Sequence, residues 1–338
     1  MSNEKDFVIE NGVLIEYKGN DKEVFIPDGV EEIGKLAFYN YKNLTGVHFP
    51  NGLKTIGTWA FSGCENLTSL TFPDGMIKID KGAFYDCEKL SNVKFPDSLI
   101  CILDRAFFGC TSLTSLTITR NVTEIGDRAF DSCINLSDVE VLCNTTKINR
   151  RVFEGCKSLV NVNIPRTTKE ICDHAFDCCY SLTNITIPEG VTRIGSYAFS
   201  WCKNLTSITL PESITEINDF AFANCENLTT IDIPDSVTNI GFNIFESSNK
   251  LKTIIVHSET MKNKLIETGN VIEGCEIKII EKEQHKDNSV ILNKSVNSSQ
   301  TEEFTAGNEI LNGQENLKVP VAVSTEDISH DDDNRDTF

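Results

Sequence analysis

The stretch that decides the fold runs Ile185-Thr-Ile-Pro-Glu-Gly-Val-Thr-Arg-Ile-Gly-Ser-Tyr-Ala-Phe-Ser-Trp-Cys-Lys-Asn-Leu-Thr-Ser-Ile-Thr-Leu-Pro211. Its opening, Ile185-Thr-Ile-Pro188, returns 23 residues later as Ile208-Thr-Leu-Pro211. Stepping by 23 in both directions gives starts at Val24, Val47, Leu70, Val93, Leu116, Val139, Val162, Ile208 and Ile231, with no insertion or deletion. With Val24 as column 1, column 10 is always Ile (Ile33 to Ile240). Column 15 is always Phe (Phe38 to Phe245), and column 21 is always Leu (Leu44 to Leu251). Column 14 is Ala except at Val152 and Ile244; column 4 is Pro except at Thr119 and Leu142. A period this strict marks a repeat architecture.

Each column has a physical reading. In Leu205-Thr-Ser-Ile-Thr-Leu210 the alternation at 208 and 210 predicts a short strand with Thr209 outward. Pro211 has no N–H to give a ladder, so the strand stops there. Ile214-Thr-Glu-Ile217 reads as a second extended piece, and Asn218 to Cys225 as a helical turn with Ala221 and Phe222 inward. One coil cannot bury its own apolar face, so the fold class is a mostly β repeat solenoid. Its right-handed coils carry a parallel sheet and short helical turns, and stacking makes one core.

The organisation follows. Residues 1–23 hold two alternating strands around Asn11-Gly12, a hairpin signal, and are read as an N-terminal cap. Ten repeats occupy 24–253. Residues 254–280 read as a strand, a helix over Glu259–Thr268 and a further strand, forming a C-terminal cap. Residues 281–338 carry 13 acidic against 5 basic residues, lack the period, and are expected to be a disordered acidic tail.

Composition removes several functions. The formal charge of −19 is repelled by nucleic acid and anionic membranes, and no basic stripe with interleaved aromatics occurs. No apolar run is long enough for a membrane helix. The opening Met1-Ser-Asn-Glu-Lys-Asp6 has neither a basic nor an apolar secretory segment, so on sequence the expected residence is cytoplasmic. Column 18 stacks Cys64, Cys87, Cys110, Cys133, Cys156, Cys179, Cys202 and Cys225 between Tyr41 and Ser248. In-register side chains run parallel, with Cβ atoms held about 5 Å apart, wider than the roughly 3.8 Å a disulfide prefers. These cysteines read as buried small hydrophobes, and eight stacked thiols suit a reducing compartment.

The unit Leu-Thr-x-Ile-x-Ile-Pro-x-x-Val-x-x-Ile-Gly-x-x-Ala-Phe-x-x-Cys, matched closely by Ile185 to Cys202, resembles the BspA-like class of leucine-rich repeat. The resemblance covers roughly residues 7 to 257, including the Phe7-to-Ile26 opening. It implies a curved solenoid with a binding role and no shared catalytic residues. Members are described as surface antigens or adhesins that bind host or matrix proteins, which places the cell surface beside the cytoplasmic reading.

A partner would meet outward columns. Columns 23 and 2 form a polar lawn: Ser69, Thr71, Ser115, Thr117, Asn161, Asn163, Asn184, Thr186, Ser207 and Thr209. Such residues also simply suit an exposed sheet. The turn edge, columns 12, 13, 16 and 17, varies most. It carries Leu36, Tyr39, Trp59, Tyr85 and Phe108 at one end, then Arg105, Arg128 and Arg151, then His174, Tyr197, Trp201 and Phe220. Aromatic and Arg side chains are the usual interface anchors. The Arg column is equally readable as a surface ladder neutralised by Asp104, Asp127, Asp131 and Glu154.

Chemistry is sparse. The histidines are scattered and no HExxH, GxSxG, phosphate loop or EF-hand occurs. Cys172, His174, Cys178 and Cys179 share one coil, but their side chains are expected to diverge. No metal, cofactor or small-molecule substrate is expected. Sequons recur at Asn43, Asn66, Asn135, Asn204 and Asn227 because the repeat contains Asn-Leu. The expectation is a non-enzymatic module that binds a protein partner, with a surface adhesin as the alternative.

Overall fold

In the computed structural model, which describes residues 4–280, the period becomes a mostly β solenoid of about twelve turns. The acidic tail expected at 281–338 lies outside the described residues. Each coil contributes one strand of two to four residues around column 1, from Glu23–Phe25 to Thr230–Asp232. It contributes a second two-residue strand at columns 9 and 10, from Glu32–Ile33 to Asn239–Ile240. Pairing is parallel with a constant offset of 23, as in Val24 with Val47 and Ile185 with Ile208.

The stack runs past the ten repeats. Phe7–Glu10 and Val13–Tyr17 pair antiparallel around Asn11 (φ 48°) and Gly12 (φ 79°), and Val13–Leu14 then pairs parallel with Glu32–Ile33. Both turn residues sit where a tight right-twisted hairpin needs positive φ. At the far end Thr253–Val256 pairs with Glu276–Ile279, again 23 residues apart. The helix Glu259–Glu267 between them begins at Ser258, whose hydroxyl accepts from the Met261 N–H, and it buries Met261 and Leu265.

The core is a set of ladders. The ten column-15 rings stack from Phe38 to Phe245 with centroids 4.8 to 6.1 Å apart and planes within 19° of parallel, each at most 2% exposed. Burying one such side chain is worth about 1.5–3 kcal/mol, so this column alone is a large share of the driving force.

The Ala-Phe segment departs from the expected helical turn. Its N–H groups divide their bonds. Those of columns 14, 16 and 18 close turns within the coil, as Ala37 to Gly34, Tyr39 to Leu36 and Tyr41 to Phe38. Those of columns 13, 15 and 17 donate to the next coil, as Leu36 to Thr58, Phe38 to Ala60 and Asn40 to Ser62. A helix would spend every N–H inside the coil. Here alternate donors stitch neighbouring coils, and left-handed backbone at columns 13 and 17 turns them outward. Column 13 takes φ of 53–62° in all ten coils, from Leu36 to Asn243, with Gly82 at 58°.

Column 18 has a role beyond packing. All the cysteines are free thiols. Each of the eight in column 18 donates from Sγ to the carbonyl of the preceding coil's Phe, from Cys64 to Phe38 at 3.2 Å to Cys225 to Phe199 at 3.3 Å. Ser248 makes the same bond to Phe222 at 2.8 Å. Column 20 is similar: Asn66, Asn135 and Asn227 amides donate to Lys42, Thr111 and Lys203 carbonyls one coil back. The Asn of the recurring sequons is thus used within the fold.

Candidate functional site

The turn edge divides into separate groups. Trp59, Tyr85 and Phe108 make a continuous run of ring contacts: Trp59 is tilted 60° against Tyr85 at 5.1 Å, and Tyr85 lies on Phe108 at 4.6 Å with planes 4° apart. All three are half-buried. The Trp59 ring also covers Gly82, where any Cβ would collide with it. Column 13 of that coil is therefore filled from the neighbouring coil. Leu36 and Tyr39 stand more exposed, and Tyr39 joins none of the ring contacts among the described residues.

A second stack begins at His174, which follows the Arg residues in column 13. His174 lies on Tyr197 at 4.8 Å, and Tyr197 on Phe220 at 4.8 Å, all nearly coplanar. Trp201 is not part of it. Lys203 sits over the Trp201 ring at 4.9 Å and over Tyr180 at 5.4 Å, so Trp201 belongs to a cation–π group. Tyr180 had no signal in the sequence beyond being an aromatic after the cysteine column.

The Arg column is only partly neutralised. Arg151 Nη1 contacts Glu154 Oε2 at 3.2 Å. Among the described residues, no carboxylate lies within ion-pair distance of Arg105 or Arg128. Asp104 and Asp127 are engaged elsewhere: their Oδ1 atoms accept the next coil's N–H, from Asp127 at 3.1 Å and from Arg150 at 3.2 Å. Asp131 turns inward, and burial followed by the nearby Glu154 charge holds its carboxyl well above the usual range.

Seven residues on this edge, Leu36, Trp59, Arg105, Arg128, Arg151, Tyr197 and Phe220, hold left-handed column-13 backbone although none is Gly, Asn, Asp or His. Trp201 does the same in column 17 at φ 55°. Each costs about 1–2 kcal/mol against a residue without a Cβ. Gly82 makes the same turn with the same hydrogen bonds. The fold therefore requires the backbone angle and not these side chains.

The opposite, sheet face also holds features beyond the polar lawn. Phe25 and His48 stack at 4.1 Å, with His48 Nε2 3.0 Å from Glu23. A cleft of about 870 Å³ opens between the seventh and eighth coils, lined by Val160, Asn161, Asn163, Arg166, Asn184 and Thr186 among others. Its cause is local. Thr119 and Leu142 replace Pro, so strands Ser115–Ile118 and Asp138–Val141 run longer, and the Leu142 N–H bonds to Ile118. Asn163 then bonds Val141 through its side chain, donating to the carbonyl at 2.8 Å and accepting from the N–H at 2.7 Å. The next coil's strand does not pair with Asn161–Val162. The missing prolines were visible in the sequence; the amide bridge was not.

Cys172, Cys178 and Cys179 do not gather around His174. The metal-ligating types that meet there are Glu154, His174 and Asp177. Among the described residues, no helix is long and apolar enough to cross a membrane.

Parallel coils at a constant offset with an Ile, Phe and Leu core define a leucine-rich repeat solenoid. The chain matches the BspA type leucine rich repeat region, a six-copy unit, over residues 16–137, 62–180, 124–252 and 169–295. It belongs to the BspA type leucine-rich repeat family. Among solved structures it is similar to PcpA, a pneumococcal vaccine antigen, at 21% identity and a TM-score of 0.53, over 77% of this chain and 79% of that one. It is similar also to a leucine rich cell surface protein of Faecalibacterium prausnitzii, at 25% identity and a TM-score of 0.48, over 84% and 93% of the two chains. A leucine-rich repeat protein from Bacteroides ovatus aligns at 27% identity and a TM-score of 0.42, over 77% and 84%. No curated protein matches the chain by sequence.

Proposed function

We propose that this solenoid is a non-enzymatic interaction module that takes a protein partner along its turn edge. The observation that carries this is the left-handed column. Bulky Trp, Tyr, Phe and Arg side chains stand at positions where glycine would be less strained, and strain kept where the fold does not need it points to function. The chemistry of the edge suits a protein. The stacks at Trp59–Tyr85–Phe108 and His174–Tyr197–Phe220 offer rigid apolar anchors with polar tips. The guanidinium groups of Arg105 and Arg128 are free to fork onto a partner's carboxylates.

Replacing Trp59, Tyr85 and Arg128 together should weaken capture of an authentic partner by tenfold or more. The matching change on the sheet face, at Ser115, Thr117 and Thr186, should leave capture unaltered. The reverse pattern would move the binding surface to the sheet.

The resemblance to BspA-like repeats, whose members are described as surface antigens and adhesins, supports a second reading for location, display at the cell surface. Protease treatment of intact cells tests it: cleavage of the solenoid's exposed loops supports display, and full protection refutes it.

A further inference from the structure

At the start of the second aromatic stack, adjacent coils bring Glu154, His174 and Asp177 together, with one ligand atom of each within 4.8 Å of the others. His174 Nδ1 lies 2.9 Å from Asp177 Oδ2. Asp177 is only 8% exposed, and its other oxygen, Oδ1, is buried without any hydrogen-bond partner. A carboxylate oxygen withdrawn from water and left unpaired calls for a donor or a cation. Arg151 reaches Glu154 from the side, at 3.2 Å, and its own Nε is also buried and unpartnered. The ordinary ion-pair ladder thus leaves one acceptor and one donor unmet on the same two coils.

We propose that Glu154, His174 and Asp177 form a binding site for one divalent transition-metal ion of the zinc class. One imidazole and two carboxylates make a mixed nitrogen and oxygen set, which suits zinc better than calcium or magnesium. Ligand bonds of about 2.0–2.2 Å around a tetrahedral ion place its ligand atoms about 3.3–3.5 Å apart. The present separations bracket that spacing: one of up to 4.8 Å must close by about 1.3–1.5 Å, and the 2.9 Å between His174 and Asp177 must open by about half an ångström. The His174 ring is already oriented, since it stacks on Tyr197 with planes 7° apart and stands on left-handed backbone at φ 55°. Three protein ligands leave a fourth position open to the solvent side of the edge. Arg151 is the competitor: its guanidinium neutralises Glu154 and must swing away when the ion enters, which its one-fifth exposed side chain and unheld Nε permit. Cys179 takes no part, because its thiol is committed to the Phe153 carbonyl. The inference stands apart from the partner reading, since it is measured with no partner present.

The test is calorimetric titration of the full chain with zinc, in the presence of a non-thiol reductant, alongside cobalt(II) absorption as the ligand fingerprint. The wild type should bind one ion per chain. Asp177→Asn and His174→Asn should each weaken binding tenfold or more; Asn tolerates the backbone at both positions. Arg151→Asn should tighten binding at least threefold, because it removes the competing cation. That gain also keeps the test decisive if a ligand variant folds poorly. The proposal is overturned if neither the wild type nor Arg151→Asn binds zinc saturably. It is equally overturned if binding survives both ligand substitutions, or if cobalt shows thiolate charge-transfer absorption.

Discussion

Gly82 is the one column-13 position with no side chain, and it shows what the others cost. The Trp59 ring above it excludes a Cβ, and its φ of 58° would strain one. Gly82→Ala should therefore cost about 1–2 kcal/mol in backbone strain and push the indole outward, raising acrylamide quenching of Trp59 fluorescence. An unchanged quenching constant would contradict that packing. The converse change at Arg128 should stabilise. Its guanidinium has no ion-pair partner among the described residues and its φ is 57°, so Arg128→Gly should raise unfolding free energy by about 1 kcal/mol. A loss would show that the side chain supports the fold after all. Asp86 offers a third residue-level test. Burial, then the Glu88 and Glu65 charges, push its carboxyl up from 3.8 to about 6. A carboxyl whose pKa rises on folding favours the fold only while protonated, and that contribution disappears as pH climbs from about 4 through about 6. Asp86→Asn, a residue that column 17 already uses at Asn40 and Asn224, should raise the melting temperature at pH 7.5 and not at pH 4. Equal shifts at both would remove the titration as cause.

At the scale of the element, the thiol column and the turn it closes explain both what was readable in the sequence and what was not. Phe at column 15 and Cys at column 18 announce burial by type and period alone. The hydrogen bond from each thiol to a Phe carbonyl one coil back was not readable, because cysteine serves equally well as a plain small hydrophobe. Burial pushes these thiols up, Cys64 to about 12 and the deeper ones further. None of the eight should react with iodoacetamide at pH 8 in the folded protein, and all should react after unfolding. Labelling of Cys133 in the native state would contradict the packing. The Ala-Phe segment reads as a helical turn because its apolar spacing fits one. Its left-handed residues were hidden, since Arg128, Tyr197 and Phe220 give no sign of positive φ. Gly82 and Asn243 in column 13, and Asn40, Gly63, Asp86, Gly109, Gly155 and Asn224 in column 17, hinted at it. The candidate edge was legible as a column of anchors, whereas its division into two stacks and a cation–π group depended on which neighbour each ring leans over.

For the whole molecule, an uninterrupted 23-residue register made the solenoid legible from sequence, since each coil only has to satisfy its two neighbours. The interruptions lay beyond it. The pairing around column 1 breaks in four places among the described residues, of which the one after Asn161–Val162 opens the cleft, and the second sheet breaks between Glu124–Ile125 and Lys147–Ile148. The cleft break and the second-sheet break depend on single amides, Asn163 bonding Val141 and Asn149 bonding Ile125, that a repeat pattern does not distinguish from other polar residues. These local departures give the solenoid two unlike faces: a polar sheet with one cleft, and a strained edge with aromatic and Arg anchors. We propose that the edge is the face a partner meets. Site-specific photocrosslinking tests this most directly, with a benzophenone amino acid placed in turn at Tyr85 and Tyr197 on the edge and at Thr117 and Thr209 on the sheet. Adducts of one partner protein from both edge positions and from neither sheet position are expected. Adducts from Thr117 or Thr209 with none from the edge would contradict it.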